Sequence, residues 1–331
     1  MTINNEGYRA WIDLGDILLE QGRPHSAAEI YFNGWERFPE SPVPLYHSGR
    51  ALIAAGKVTE GEHRIAVAHR LSLGNARNRG RFLEELGNRG RLKDLRTERD
   101  LVLKTVWQND SYHGNVWSQL SRASMLLKDY DTAASAVDLY CNFIFKSNSF
   151  TFIDGRSYLD MPVLVPMNRA LSLATAGKID EAMVLAREVL ATVPGHAVLT
   201  TTLVPLLEQR GFKKEADEIF QTSWQTYRKM MVEYPQSAWA AGWSAHIAAN
   251  CNRELDLALD DAKKGVALDL DSKWNREVLA ETHFRRGETA DAVAVMKLLA
   301  TETPRNQFYR RQLTRFAGGD RNTPQPLGPD D

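Results

Sequence analysis

The chain has 331 residues, a formal net charge of −1, 25% charged residues and 43% hydrophobic residues. A charge this close to zero argues against bulk attraction to nucleic acid or an anionic membrane, and no apolar stretch approaches the roughly 20 residues that span a bilayer. The two cysteines, Cys141 and Cys251, are too few and too far apart for a disulfide framework or a metal site, and both lie in apolar helical stretches that predict buried free thiols.

Met1 to Glu6 lacks the basic-then-apolar pattern of a secretion signal, so a cytoplasmic protein is expected. The first periodic segment then places Trp11, Leu14-Gly15, Leu18, Ala27, Tyr31 and Pro39 at a spacing that recurs along the chain. Gly22, Gly56, Gly90, Gly177, Gly211 and Gly287 each separate two amphipathic segments, where a residue able to take positive φ ends a helix. A small residue follows at a fixed offset: Ala27, Gly61, Ala182, Ala216, Ala258 and Ala292. Four positions later stands a larger apolar residue, as at Tyr31, Ile65, Phe220 and Met296, with Ala186 and Ala262 departing. Pro39, Pro194 and Pro304 close three of the segments.

This pattern resembles the tetratricopeptide repeat (TPR), a helix-turn-helix unit of roughly 34 residues. The resemblance runs from Tyr8 to Phe316 and implies an all-α fold: a right-handed TPR-like α-solenoid of about eight repeats with a C-terminal capping helix. The repeats fall at 8–41, 42–75, 76–109, 114–147, 163–196, 197–230, 239–272 and 273–306, with the cap at 306–316. Together, residues 1–316 are expected to form one solenoid and 317–331, rich in Gly, Pro and Asp, a disordered tail. Arg310, Arg311 and Arg315 are expected on the outer face of the cap. Repeat three departs at Leu95 and Trp107, and repeat seven has Arg253 in place of the turn glycine.

Two segments break the period. Residues 148–162 are an insertion carrying Phe150, Phe152 and Tyr158, expected to pack back onto the scaffold, with a flap or a self-association patch as alternatives. Residues 231–238 lengthen the second helix of repeat six, which should run from Lys213 to Tyr234 and stop at Pro235.

No phosphate-binding glycine loop, nucleophile elbow or HExxH sequence occurs. His246 and His283 fall on core-facing positions. The adjacent carboxylates Glu84-Glu85 and Asp260-Asp261 read as solvated faces. Most tryptophans, Trp239 among them, read as packing residues. No catalytic residue, metal ligand or cofactor is therefore expected.

The resemblance does imply a ligand groove lined by the first helix of each repeat. On those positions stand Tyr46, His47 and Arg50 in repeat two, Arg77 and Arg81 in repeat three, and Asn115, Gln119 and Arg122 in repeat four. Met167, Trp243 and Trp274 follow in the later repeats, with Leu171, Ile247 and Phe284 on equivalent positions. Tyr46 and Arg50, Arg77 and Arg81, and Asn115 and Gln119 are i, i+4 pairs that share a helix face. Two arginines so placed repel by about 0.2–0.5 kcal/mol, which an anion between them would relieve. The plainer reading pairs Arg81 with Glu84 or Glu85. The expected function is a non-catalytic adaptor binding a protein or peptide with an acidic and a hydrophobic part. The alternatives are an α/α solenoid enzyme acting on an acidic or sugar-like substrate, and a self-assembling homo-oligomer.

Overall fold

In the computed structural model the turn glycines set the punctuation. Gly22, Gly56, Gly90, Gly177, Gly211 and Gly287 all take positive φ, from +63° at Gly90 to +89° at Gly287. The next residue's N–H then reaches back five positions, as Lys57 N does to Leu52 O at 2.9 Å and Lys178 N to Leu173 O at 2.9 Å. This closure satisfies the last carbonyls of one helix and launches its partner within a few residues.

The structure describes residues 7–71, 76–104, 113–147, 155–304 and 306–321, the side chains of 113–115, 143–147, 155–162 and 307 excepted. Among the described residues every regular element is a helix. The first pairs are α1 (Gly7–Glu20) with α2 (Pro24–Arg37), α3 (Pro42–Ala54) with α4 (Val58–Arg70), and α5 (Ala76–Asn88) with α6 (Leu92–Lys104). Next come α7 (His113–Leu126) with α8 (Tyr130–Ser147), and α9 (Gly155–Thr175) with α10 (Ile179–Thr192). The remainder are α11 (Ala197–Gln209) with α12 (Lys213–Glu233), α13 (Ala238–Asn250) with α14 (Leu255–Leu268), α15 (Lys273–Arg286) with α16 (Thr289–Glu302), and the closing α17 (Gln307–Gly318).

Contacts divide the chain into two compact units. The first is Met1–Lys128 with Ala136–Phe150, and the second is Asp129–Ser135 with Thr151–Asp331. In the first unit α1 packs on α2 and α3, α3 on α4 and α5, and α5 on α6 and α7. The second repeats the scheme, with α9 on α10 and α11, α11 on α12 and α13, and α13 on α14 and α15. First helices thus stack on first helices, which is what brings successive inner positions side by side.

Small residues at the fixed offset explain how the pairs close. Ala27, Ala182, Ala216, Ala258 and Ala292 are fully buried. In the second pair a Cβ on Gly49 would sit 2.6 Å from the Gly61 carbonyl oxygen, so α3 and α4 meet backbone to backbone. Around these contacts the first unit buries Tyr31, Tyr46, Phe82, Leu83, Leu86 and Leu95. Phe284, Met296, Phe308 and Phe316 form a core at the far end of the second.

Several expectations change. In repeat seven the turn residue is Asn252, not Arg253: Asn252 has φ +53°, and Arg253 N bonds Ala248 O at 2.9 Å. Asn tolerates the left-handed region better than most residues. Lys128, with φ +59°, stands at the matching point of repeat four. Residues 155–162, expected in a loop, form the first turns of α9, while Phe150 and Phe152 lie outside the described residues. Cys251 is buried, but Cys141 is only half-buried. Arg315 does not face outward. It is buried and donates to Glu281 Oε2 at 2.6 Å and Oε1 at 2.8 Å, pinning α17 to α15. Helix α17 runs on to Gly318, and the Arg321 carbonyl accepts a bond from Arg285 at 2.6 Å. Residues 322–331 lie outside the described residues. No described helix is long and apolar enough to cross a membrane.

Candidate functional site

The eleven residues nominated from the sequence divide between the two units. In the first, α3 carries Tyr46, His47 and Arg50. Tyr46 is buried and donates its hydroxyl to Asp94 Oδ2 at 2.6 Å, with Phe82 packed edge-on at 5.5 Å between ring centroids. His47 is buried as well, with Nε2 2.8 Å from Glu85 Oε1. These two side chains are core, since the neighbouring helices cover the positions that would face a ligand.

His47 belongs to a larger network. Arg89 donates through Nη1 and Nη2 to Asp16 at 3.1 and 2.8 Å, and through Nε to Glu85 at 2.8 Å. Tyr31 closes the chain with a 2.6 Å bond to Asp16. Burial alone would raise the Glu85 carboxyl, but bonds from His47 and Arg89 outweigh it and hold Glu85 at about 2. Burial and then the Arg89 charge push His47 down, so the imidazole is neutral and its Nε2–H donates to the carboxylate. Glu85 thus accepts from both His47 and Arg89. A second buried cluster joins α4, α5 and α6: Glu98 accepts from Arg79 at 2.6 Å and from His69 Nδ1 at 2.8 Å.

Arg77 and Arg81 are half-buried on α5, where the Arg81 charge reaches the Tyr8 hydroxyl of α1 and opposes the rise that burial causes there. Arg122 donates to Asn88 Oδ1 at 3.2 Å. Gln119 is half-buried, with Oε1 sealed and unbonded. The Asn115 side chain lies outside the described residues. Arg50 lines a cleft toward α6, and Arg77, Arg81 and Arg122 do not share that cleft.

In the second unit Met167 is buried, as are Leu171, Ile247 and Phe284. Trp243 and Trp274 differ. They are half-buried and meet at 4.8 Å between centroids. Gly242 makes the contact possible, since a Cβ there would lie 2.4 Å from Trp274 Cζ3. Tyr227 of α12 stacks on Trp243 at 6.3 Å, and Trp239 sits edge-on to both at 5.4 and 6.4 Å. His246 packs edge-on to Trp243 at 5.3 Å, and burial pushes its imidazole down to about 4. Trp239 is 55% exposed and forms the outer edge of this ledge.

Trp239 was missed because the turn of repeat seven holds one residue more than its fellows, which shifts the register by one. The signal was in the caps. Ser237 Oγ accepts from Ala240 N at 3.1 Å, and Ser272 Oγ accepts from Asn275 N at 3.2 Å. Each Ser is followed by one residue and then Trp, so Trp239 and Trp274 hold the same position of their repeats.

Asp261, read as solvated, is buried and binds Arg228 at 2.7 Å and Ser244 at 2.6 Å. Ligand atoms of His283, Glu288 and Asp291 lie within 4.8 Å of one another, but Glu288 already holds His283 and Arg286 at 2.6 and 2.8 Å.

Residues 276–297, on α15 and α16, match the family model of the tetratricopeptide repeat. That segment is similar to a tetratricopeptide repeat. The other helix pairs share its positive-φ turn, and all but the third, where Leu95 stands, place a small residue at the close contact. No curated protein sequence matches the chain. Among solved structures it is similar to the TPR domain of P58(IPK), at 14% identity and a TM-score of 0.27 over 95% of this chain and 98% of that one. It is also similar to yeast Tom70, at 11% identity and a TM-score of 0.31 over 94% and 88%. A third is the TPR2AB–pHSP90 complex of yeast Sti1, at 12% identity and 0.27 over 95% and 98%.

Proposed function

We propose that this TPR-like chain is a non-catalytic interaction scaffold that holds a peptide segment or partner protein on the aromatic ledge of its second unit. The observation that supports it is the half-exposed Trp239 packed edge-on against Trp243, which is partly open and meets the equally open Trp274. Large aromatics kept at the surface on a rigid helical base are the residue type that dominates binding hot spots. The ledge is pre-organised, because Gly242 and the Ser caps fix both tryptophans before any partner arrives.

Selection of a displayed peptide library on the whole chain tests this. Enriched peptides are expected to bind with a change in tryptophan emission, and Trp239→Ala should weaken them by about 2–4 kcal/mol while leaving the helical spectrum intact. Peptides that bind the variant as well as the parent would remove the ledge from the account.

A further inference from the structure

A cleft of about 710 Å³ opens in the first unit between the end of α3, the length of α4 and the start of α6. Four cations line it, Arg50, Arg70, Arg91 and Lys93, against two carboxylates, Glu62 and Asp94. None of the four has a hydrogen bond or ion pair to a carboxylate among the described residues. Their neighbours show the contrast: Arg64, Arg79 and Arg89 all end on carboxylates. Asp94 is engaged by Tyr46.

One donor of a lining side chain is also unmatched: Arg50 Nε is sealed from solvent with no partner. A buried donor without an acceptor costs about 1–3 kcal/mol, so native chains seldom keep one idle. Partial desolvation, and then the charge of Arg50, lower the pKa of Arg91. The two guanidinium groups therefore repel each other. Gly90, Arg91 and Leu92 bring the first turn of α6 to the same place, where free N–H groups and the helix dipole favour an anion.

We propose that this cleft binds a phosphate-type dianion carried as a monoester, gripped by Arg50, Arg91 and Lys93 at the start of α6. An excess of two positive charges matches a dianion, and a single carboxylate would leave one uncompensated. The cleft is roomier than a phosphate alone, and Ile53 and Ile65 give it an apolar wall for the ester's body. The proposal is independent of the aromatic ledge, which shares none of these residues.

The test is calorimetric titration of the whole chain with phenyl phosphate, inorganic phosphate, phenylacetate and a short phosphoserine peptide, at matched ionic strength. Phenyl phosphate is expected to bind saturably, with Kd of about 1 mM or tighter. Arg91→Gln should weaken it about tenfold or more, and Arg50→Gln with Arg91→Gln further still. Arg91→Gln lies in an exposed turn, and its melting point in buffer is expected to match or exceed the parent's. The phosphoserine peptide binding above inorganic phosphate would assign the dianion to a modified partner protein, and the reverse order to a small phosphate ester. Absence of saturable binding would overturn the site, as would equal binding by the double variant. Tighter binding of phenylacetate would overturn the phosphate assignment.

Discussion

The two units bury their inner positions by different means. In the first, helices are tied by ion pairs, half-buried at Asp16 and Glu85 and buried at Glu98, where each carboxylate meets an arginine and a tyrosine or histidine. In the second, the middle helices approach through small residues, with Ala240, Ala241, Ala245, Ala248 and Ala249 buried along α13, and the aromatic rings lie along its edge. The same inner position thus has opposite fates. Polar side chains there become structural when the next helix offers a partner, whereas tryptophans over a glycine stay partly open. Arg50, which meets no carboxylate, borders a cleft instead.

The second unit has one such charged tie at its end, at Glu281, so the sharpest test of this contrast removes a buried carboxylate from each unit. Glu98→Ala strands Arg79 and His69, and Glu281→Ala strands Arg315 and Arg285. Each should cost about 3–5 kcal/mol in chemical denaturation. A mild effect at Glu98 would mean that the charged ties of the first unit do not hold it.

Close approach supplies the next test. Gly49→Ala meets the Gly61 carbonyl at 2.6 Å, and Gly242→Ala meets Trp274 at 2.4 Å. Both should destabilise by about 1–3 kcal/mol. Gly49→Ala should be the worse, because backbone cannot swing aside as an indole can. Gly242→Ala should also shift the tryptophan emission. The reverse order in melting temperature would show the α3–α4 contact to be looser than described.

Acid gives an effect with a defined sign. His246 is held at about 4 in the folded chain, below the roughly 6.5 of an unfolded histidine. The unfolded chain therefore binds the extra proton between those values. The stability contributed is full above about pH 6.5 and is lost as pH falls toward 4, on the order of 3 kcal/mol. His47 is shifted in the same direction, whereas Glu85, held at about 2, keeps its contribution until pH falls below the ordinary carboxylate range. Denaturation midpoints that stay level from pH 7 to pH 4.5, or His246→Asn that leaves the slope unchanged, would contradict the burial of that ring.

Much of the fold was legible because turn glycines and small contact residues are local necessities. Gly177 and Ala182 announce a turn and a close helix pair whatever surrounds them. Lys128 and Asn252 were not legible, because a residue other than Gly at positive φ leaves no compositional mark. The site was read less well. Helical spacing put Tyr46 and His47 on the right face, but whether that face is open depends on Asp94 and Glu85, more than 35 positions away in sequence. Arg315 was misread for the same reason, since its partner Glu281 stands 34 residues earlier. Trp239 was lost to a single extra residue in a turn, although the Ser caps marked its register.

The central claim is that polar inner residues of the first unit serve stability while the tryptophans of the second serve contact. The most direct measurement pairs denaturation with peptide affinity, for a library-selected peptide, on Tyr46→Phe and Trp239→Ala. Tyr46→Phe should lose about 1–3 kcal/mol of stability, from an unpaired Asp94, and keep full affinity. Trp239→Ala should lose affinity and little stability. A Tyr46→Phe chain that keeps its stability but loses the peptide, beside a Trp239→Ala chain that still binds, would contradict the account.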